Sequence, residues 1–215
     1  MTAASLDSPV TEGVLSLEVR WIFPGPLEAA VAGWFGRFPA GMDSREDSYL
    51  LDPDLPGLSV KLRAGLALEV KVYRGSPGIL DVAGRARGSI QSWQKWSFPV
   101  SPIRPRCGNP ASWTPVTKKR RIARFSLADG RVVAGAPVPV TEPACAVELT
   151  EVRVRGEPWW SLGFEATGPA DLLRSGLQAT AALVFAQAIP GRVVLDTDDS
   201  RSYADWLGPN SRSRP

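Results

Sequence analysis

The sequence predicts an α+β fold in which about eight antiparallel strands close into a β-barrel with flanking helices. Three observations lead there. Segment after segment alternates apolar and ionic residues with period two. Two apolar stripes recur at helical spacing, without the strand–helix–strand rhythm of a parallel sheet. The ionic sides of the strands carry Glu, Lys and Arg with little Ser, Thr, Asn or Gln between them. They set bases on some strands against acids on others, which suits an enclosed polar lumen better than a solvated face.

Residues 1–13 read as a flexible leader. The first strand spans 14–23, with Leu17, Val19 and Trp21 on one side and Ser16, Glu18, Arg20 and Ile22 on the other. Pro26 suits a first helical turn, and Leu27, Ala30, Val31, Trp34, Phe35 and Phe38 continue the spacing, so a helix is expected over 26–38. Strands follow at 46–51, 58–63 and 67–73, separated by the turn segments DPDLPG and RAG. Leu58, Val60 and Leu62 oppose Ser59, Lys61 and Arg63; Leu68, Val70 and Val72 oppose Glu69, Lys71 and Tyr73. Residues 76–113 are rich in Pro, Gly and Trp and read as an ordered insertion laying Trp93, Trp96 and Trp113 over the domain. Strands resume in VTKKRRIARFSLADGRVVAG, with ADG as a hairpin turn. There Lys118, Arg120, Ile122 and Arg124 share one side, and Lys119 and Arg121 fall with Phe125 on the other. Ala146, Glu148 and Thr150 oppose Val147 and Leu149; Ser161, Gly163, Glu165 and Thr167 oppose Trp160, Leu162 and Phe164. A long amphipathic helix is expected over 169–189, anchored by Leu172, Leu173, Leu177 and Leu183. The segment SYADWL forms a short helix before a flexible tail at 208–215. One domain, 14–207, accounts for the chain.

Bulk composition narrows the chemistry. The 215 residues are 44% hydrophobic and 22% charged, enough for a real core and near the globular average. The formal charge of +3 is too mild to indicate a nucleic-acid partner. The chain contains no histidine, so Ser-His-Asp and Cys-His catalysis and His-bound zinc are excluded. Cys107 and Cys145 are too few for a disulfide framework or a four-Cys metal site. A metal would therefore sit on oxygen, which points to Mg²⁺, Mn²⁺ or Ca²⁺. The segment DTDD at 196–199 lacks the Gly and Glu of a calcium loop and reads as a capped turn. No apolar run reaches the ~18 residues of a membrane span, and the N-terminus has no secretion pattern, so the cytoplasm is the expected location.

If the ionic sides face inward, the lumen holds clustered cations beside clustered carboxylates. Such cations repel one another unless a polyanion lies among them, and the carboxylates suit a hard divalent ion; a phosphate chain with Mg²⁺ meets both needs. The residues resemble the CYTH superfamily, the triphosphate tunnel metalloenzymes. REDSYLLDPDLPGLSVKLRAGLALEVKVY is similar to that family's stretch from an Asp-x-Tyr strand to a strand bearing a tunnel lysine. KKRRIARF resembles its central basic strand, VELTEV and LGFEATG its acidic strands, and SYADWL its C-terminal ending. The family's opening Glu-x-Glu-x-Lys is here Ser16, Glu18 and Arg20, so the first carboxylate is missing. The resemblance implies a triphosphate tunnel fold and metal-dependent hydrolysis of an inorganic or organic triphosphate. It assigns phosphate contacts to Arg20, Lys61, Arg63, Lys71, Arg120 and Arg124, and Mg²⁺ or Mn²⁺ to Glu18, Glu148 and Glu165. The lost carboxylate leaves a second option: a catalytically impaired binder of polyphosphate or nucleotide.

Overall fold

A two-faced strand buries only one side in an open sheet, whereas a sheet that closes on itself separates both sides and leaves no edge. The computed structural model, which describes residues 13–52, 54–55, 57–100, 113–127, 133–134 and 142–208, shows that closure. Its strands are β1 (Val14–Pro24), β2 (Gly41–Leu50), β3 (Leu58–Arg63), β4 (Ala67–Val82), β5 (Ala86–Pro99), β6 (Trp113–Ser126), the two-residue β7 (Val133–Ala134), β8 (Ala144–Val154) and β9 (Glu157–Thr167). The order β2-β3-β4-β5-β1-β9-β8-β6 is antiparallel throughout, and β6 pairs back onto β2 to complete an eight-stranded barrel; β7 is appended to β6.

The apolar sides of β1, β6, β8 and β9 face outward and form the main core with α1 (Ala29–Phe35) and α2 (Ala170–Val184). Trp21, Phe164 and Phe185 meet there at centroid distances of 5.6–6.3 Å. Gly176 lets α2 approach the wall, since a Cβ there would come within 2.5 Å of Leu127. Both helices are shorter than expected. Pro26 precedes α1, whose cap residue is the extended Glu28. α2 ends at Val184, where Arg37 donates to the Val184 carbonyl and lies over the Trp34 ring. Leu183 is 39% exposed; Val184 takes the anchoring place expected of it. On the opposite flank, Leu58, Val60, Leu62, Leu68, Val70 and Val72 are only half-buried and belong to neither buried cluster.

Residues 76–99 are barrel wall rather than an insertion. β4 runs on through irregularities at Tyr73/Gly75 and Gly75/Gly78, turns at 83–85 and returns as β5. Gly75 and Gly78, at φ 117° and 126°, supply the backbone conformations that these bulges require. The bulges shift the side-chain phase, so period-two alternation is lost where the strand continues. Trp93 faces the lumen rather than lying over the domain. The expected ADG turn, Cys107, the leader up to residue 12 and most of the tail lie outside the described residues. Cys145 is buried in the outer core, where burial raises its thiol pKa to about 12. No helix among the described residues is long and apolar enough to cross a membrane.

A second cluster lies inside the barrel at one end. Ile22, Val116, Val152 and Val154 face inward and pack on Tyr203, Trp206 and Leu207 of α3 (Tyr203–Leu207). A capping box, in which Ser202 and Asp205 exchange hydrogen bonds, starts this short helix. The polar section of the lumen begins where this cluster ends.

Candidate functional site

The lumen encloses a cavity of about 120 Å³. Of the residues expected to bind phosphate, Arg20, Lys61, Arg63, Lys71 and Arg120 line it, as do the expected metal ligands Glu18, Glu148 and Glu165. Arg124 does not line it: the residue lies beyond the β2–β6 pairing, and its buried Nε has no hydrogen-bond partner among the described residues. The structure adds Arg45, Lys95, Lys118 and Glu69 to the lining.

Glu148 accepts the most hydrogen bonds of the lining carboxylates among the described residues. Arg120 Nε and Nη2 donate to its Oε2 at 2.9 and 2.6 Å; Arg20 Nη1 and Thr150 Oγ1 donate to its Oε1 at 3.3 and 2.7 Å. Burial alone would raise its pKa, but the two guanidinium groups hold the carboxyl well below the usual range. Arg20 reaches Glu148 across the strand between them because that position on β9 is Gly163. A Cβ on Gly163 would lie 2.7 Å from Arg20 Cζ. Replacing Gly163 with alanine should push the guanidinium off Glu148 and cost about 1–3 kcal/mol, read by chemical denaturation; an unchanged midpoint would show that the lumen yields freely.

Glu18 and Glu165 stand directly opposite each other on β1 and β9, an arrangement that repels by itself. Lys71 Nζ lies between them, 2.6 Å from Glu18 and 3.9 Å from Glu165, and Lys95 donates to Glu165 at 3.2 Å. Lys71 and then burial act oppositely on Glu165, and the lysines prevail, holding its pKa low. Burial pulls Lys71 down, but the two glutamates outweigh it and raise its pKa. Ser16, in the place of the missing signature glutamate, donates to Glu18 at 2.8 Å.

A third group joins β2, β3 and β4. Glu69 accepts from Arg63 at 3.0 Å and pairs with Lys61 at 2.9 Å, so it serves these two cations rather than Lys71. Burial pushes Glu69 up and Lys61 pulls it further down, to a pKa of about 2. Buried Asp47 accepts from Arg45 at 2.9 Å and lies 3.4 Å from Lys118. Lys118 also donates to Tyr49 at 2.7 Å and sits 3.7 Å over the Tyr203 ring. Burial first, and then the neighbouring Lys61, bring Lys118 well below the ordinary lysine range.

Each expected metal-binding carboxylate thus already holds ammonium or guanidinium groups. Among the described residues, no group of three or more Asp, Glu, His or Cys is placed to hold an ion. Glu18 and Glu165 converge, on Lys71, while Glu148 is committed to two arginines.

No family model matches the sequence, and no curated protein matches it. Among solved structures, a conserved hypothetical protein from Pyrococcus furiosus is similar over 87% of this chain and 98% of its own, at 14% identity and a TM-score of 0.45. That likeness carries no functional argument.

Proposed function

We propose that the bore binds a small polyphosphate compound, either inorganic triphosphate or the triphosphate of an organic molecule. The observation that supports this reading is a surplus of positive charge in an enclosed space: eight cationic side chains line the cavity against four carboxylates. Buried Asp47 and the half-exposed Asp43 reduce that surplus without removing it. Confined cations of this number are best neutralised by an anion with several charged oxygens, gripped by arginine forks and lysine ammonium groups. The resemblance to the CYTH family supports the same ligand class.

Tripolyphosphate at about 100 times its dissociation constant should stabilise the fold by about 2.7 kcal/mol, a melting shift of several degrees for a chain of this size. Millimolar tripolyphosphate that leaves the melting point unchanged would overturn the reading. Binding should also take up protons. Lys118 and Lys61 have pKa values lowered first by burial, and a bound anion favours their charged forms. Affinity should therefore fall as pH rises, and calorimetry in two buffers of different ionisation enthalpy should report net proton uptake.

Metal-dependent hydrolysis is the second reading, favoured by the convergence of Glu18 and Glu165 on Lys71 Nζ. Phosphate release from tripolyphosphate, ATP and thiamine triphosphate with Mg²⁺ or Mn²⁺ separates it from binding alone.

A further inference from the structure

The bore is not ionic along its whole length. Its lining also includes the neutral Ser59, Gln91, Trp93, Ser202 and Ala204. On one face of the β4–β5 ladder the side chains change from ionic to aromatic between adjacent pairs. Lys71 pairs with Lys95, and the next pair on the same face of the ladder is Tyr73 with Trp93, of which Trp93 lines the cavity. Two ammonium groups are therefore followed by two aromatic rings, one strand repeat of about 7 Å further on.

The aromatic pair is braced. Its ring centroids are 5.2 Å apart at 57°. Trp93 is buried, and its Nε1 donates to Gln91 Oε1 at 3.3 Å, while Gln91 Nε2 donates to Asp205 of α3 at 3.1 Å. Tyr73, in contrast, is 37% exposed and lies just before the bulged stretch of β4. A rigid aromatic base carrying a partly open ring beside a cationic cluster is the arrangement that stacks a planar group while its anionic tail is held nearby. The lining of the cavity agrees. Trp93 is part of its lining and Tyr73 is not, so a ring stacked on Tyr73 would lie outside the ionic section.

We propose that Tyr73, seated on Trp93, is the stacking platform for a planar aromatic group attached to the bound phosphates, so that the ligand is an organic phosphate of nucleotide type rather than an inorganic chain. This rests on the phosphate-binding reading of the bore and specifies its ligand. Calorimetric titration of the full chain with ATP and with tripolyphosphate tests it in the wild type, Tyr73→Ala and Tyr73→Phe. Tyr73→Ala should weaken ATP about 5- to 150-fold, the usual effect of losing one stacked base. It should leave tripolyphosphate within about two-fold, and Tyr73→Phe should retain the wild-type ATP affinity. Equal weakening of both ligands, or of neither, would overturn the platform while leaving the phosphate site standing. Failure of the wild type to bind either ligand would overturn both.

Discussion

Replacing Glu148 with glutamine should destabilise the protein by about 3–5 kcal/mol, the usual cost of removing one partner from a buried ionic network. The carboxylate accepts four hydrogen bonds, three of them from arginines whose side chains are only 14% and 12% exposed. Glutamine has one acceptor oxygen, and its amide would point N–H groups at donors. Arg120 would keep Asp43, but Arg20 would lose its only carboxylate contact within 4 Å among the described residues. For a chain of this length the melting point should fall by roughly 10 °C. A loss below about 1 kcal/mol would show that water reaches both arginines. The variant should also differ in acid. The wild-type carboxyl is held well below its unfolded pKa, so its contribution is complete above about pH 4.3 and is lost as pH falls toward the folded value. The wild type should lose its advantage over Glu148→Gln across that window.

Lys71→Met should have the second large effect, with the opposite pH signature. Its ammonium keeps Glu18 and Glu165 compatible as direct neighbours. Without it Glu165 retains Lys95, Glu18 retains the Ser16 hydroxyl, and two facing carboxylates remain. At pH 7 the expected loss is about 2–4 kcal/mol, somewhat less than for a fully buried pair because Glu165 is partly open. Without the ammonium, repulsion between the facing carboxylates favours the protonated form of one of them. Stability of the variant should therefore increase from pH 7 to pH 5, as that carboxyl takes a proton, where the wild type does not gain. The tripolyphosphate-induced melting shift should be abolished. A variant that melts like the wild type and still responds to tripolyphosphate would remove Lys71 from the site.

Much of the site was visible in strand phase. Ser16, Glu18 and Arg20 on β1, Lys61 and Arg63 on β3, Lys71 on β4, Arg120 on β6, and Glu148 and Glu165 all turn inward as period two requires. Lys95, Gln91 and Trp93 were missed because β4 reaches β5 through bulges, and nothing in the aromatic run SWQKW marks which side is in. Asp43 and Arg45 were missed because β2 begins at Gly41, before the polar stretch that looked like its start. Arg124 has the correct phase but lies past the end of β2, a matter of stagger that alternation does not encode.

The amino-acid sequence alone determined which side of most strands is ionic and which apolar, because side-chain direction follows from position along a strand. It also determined that two amphipathic helices and a short C-terminal helix exist. Tertiary structure decided the pairings: Glu148 with two arginines, Glu69 with Lys61 and Arg63, and Lys71 between two glutamates. Those contacts join residues up to 128 positions apart, and they depend on barrel closure and strand stagger, which no local pattern specifies.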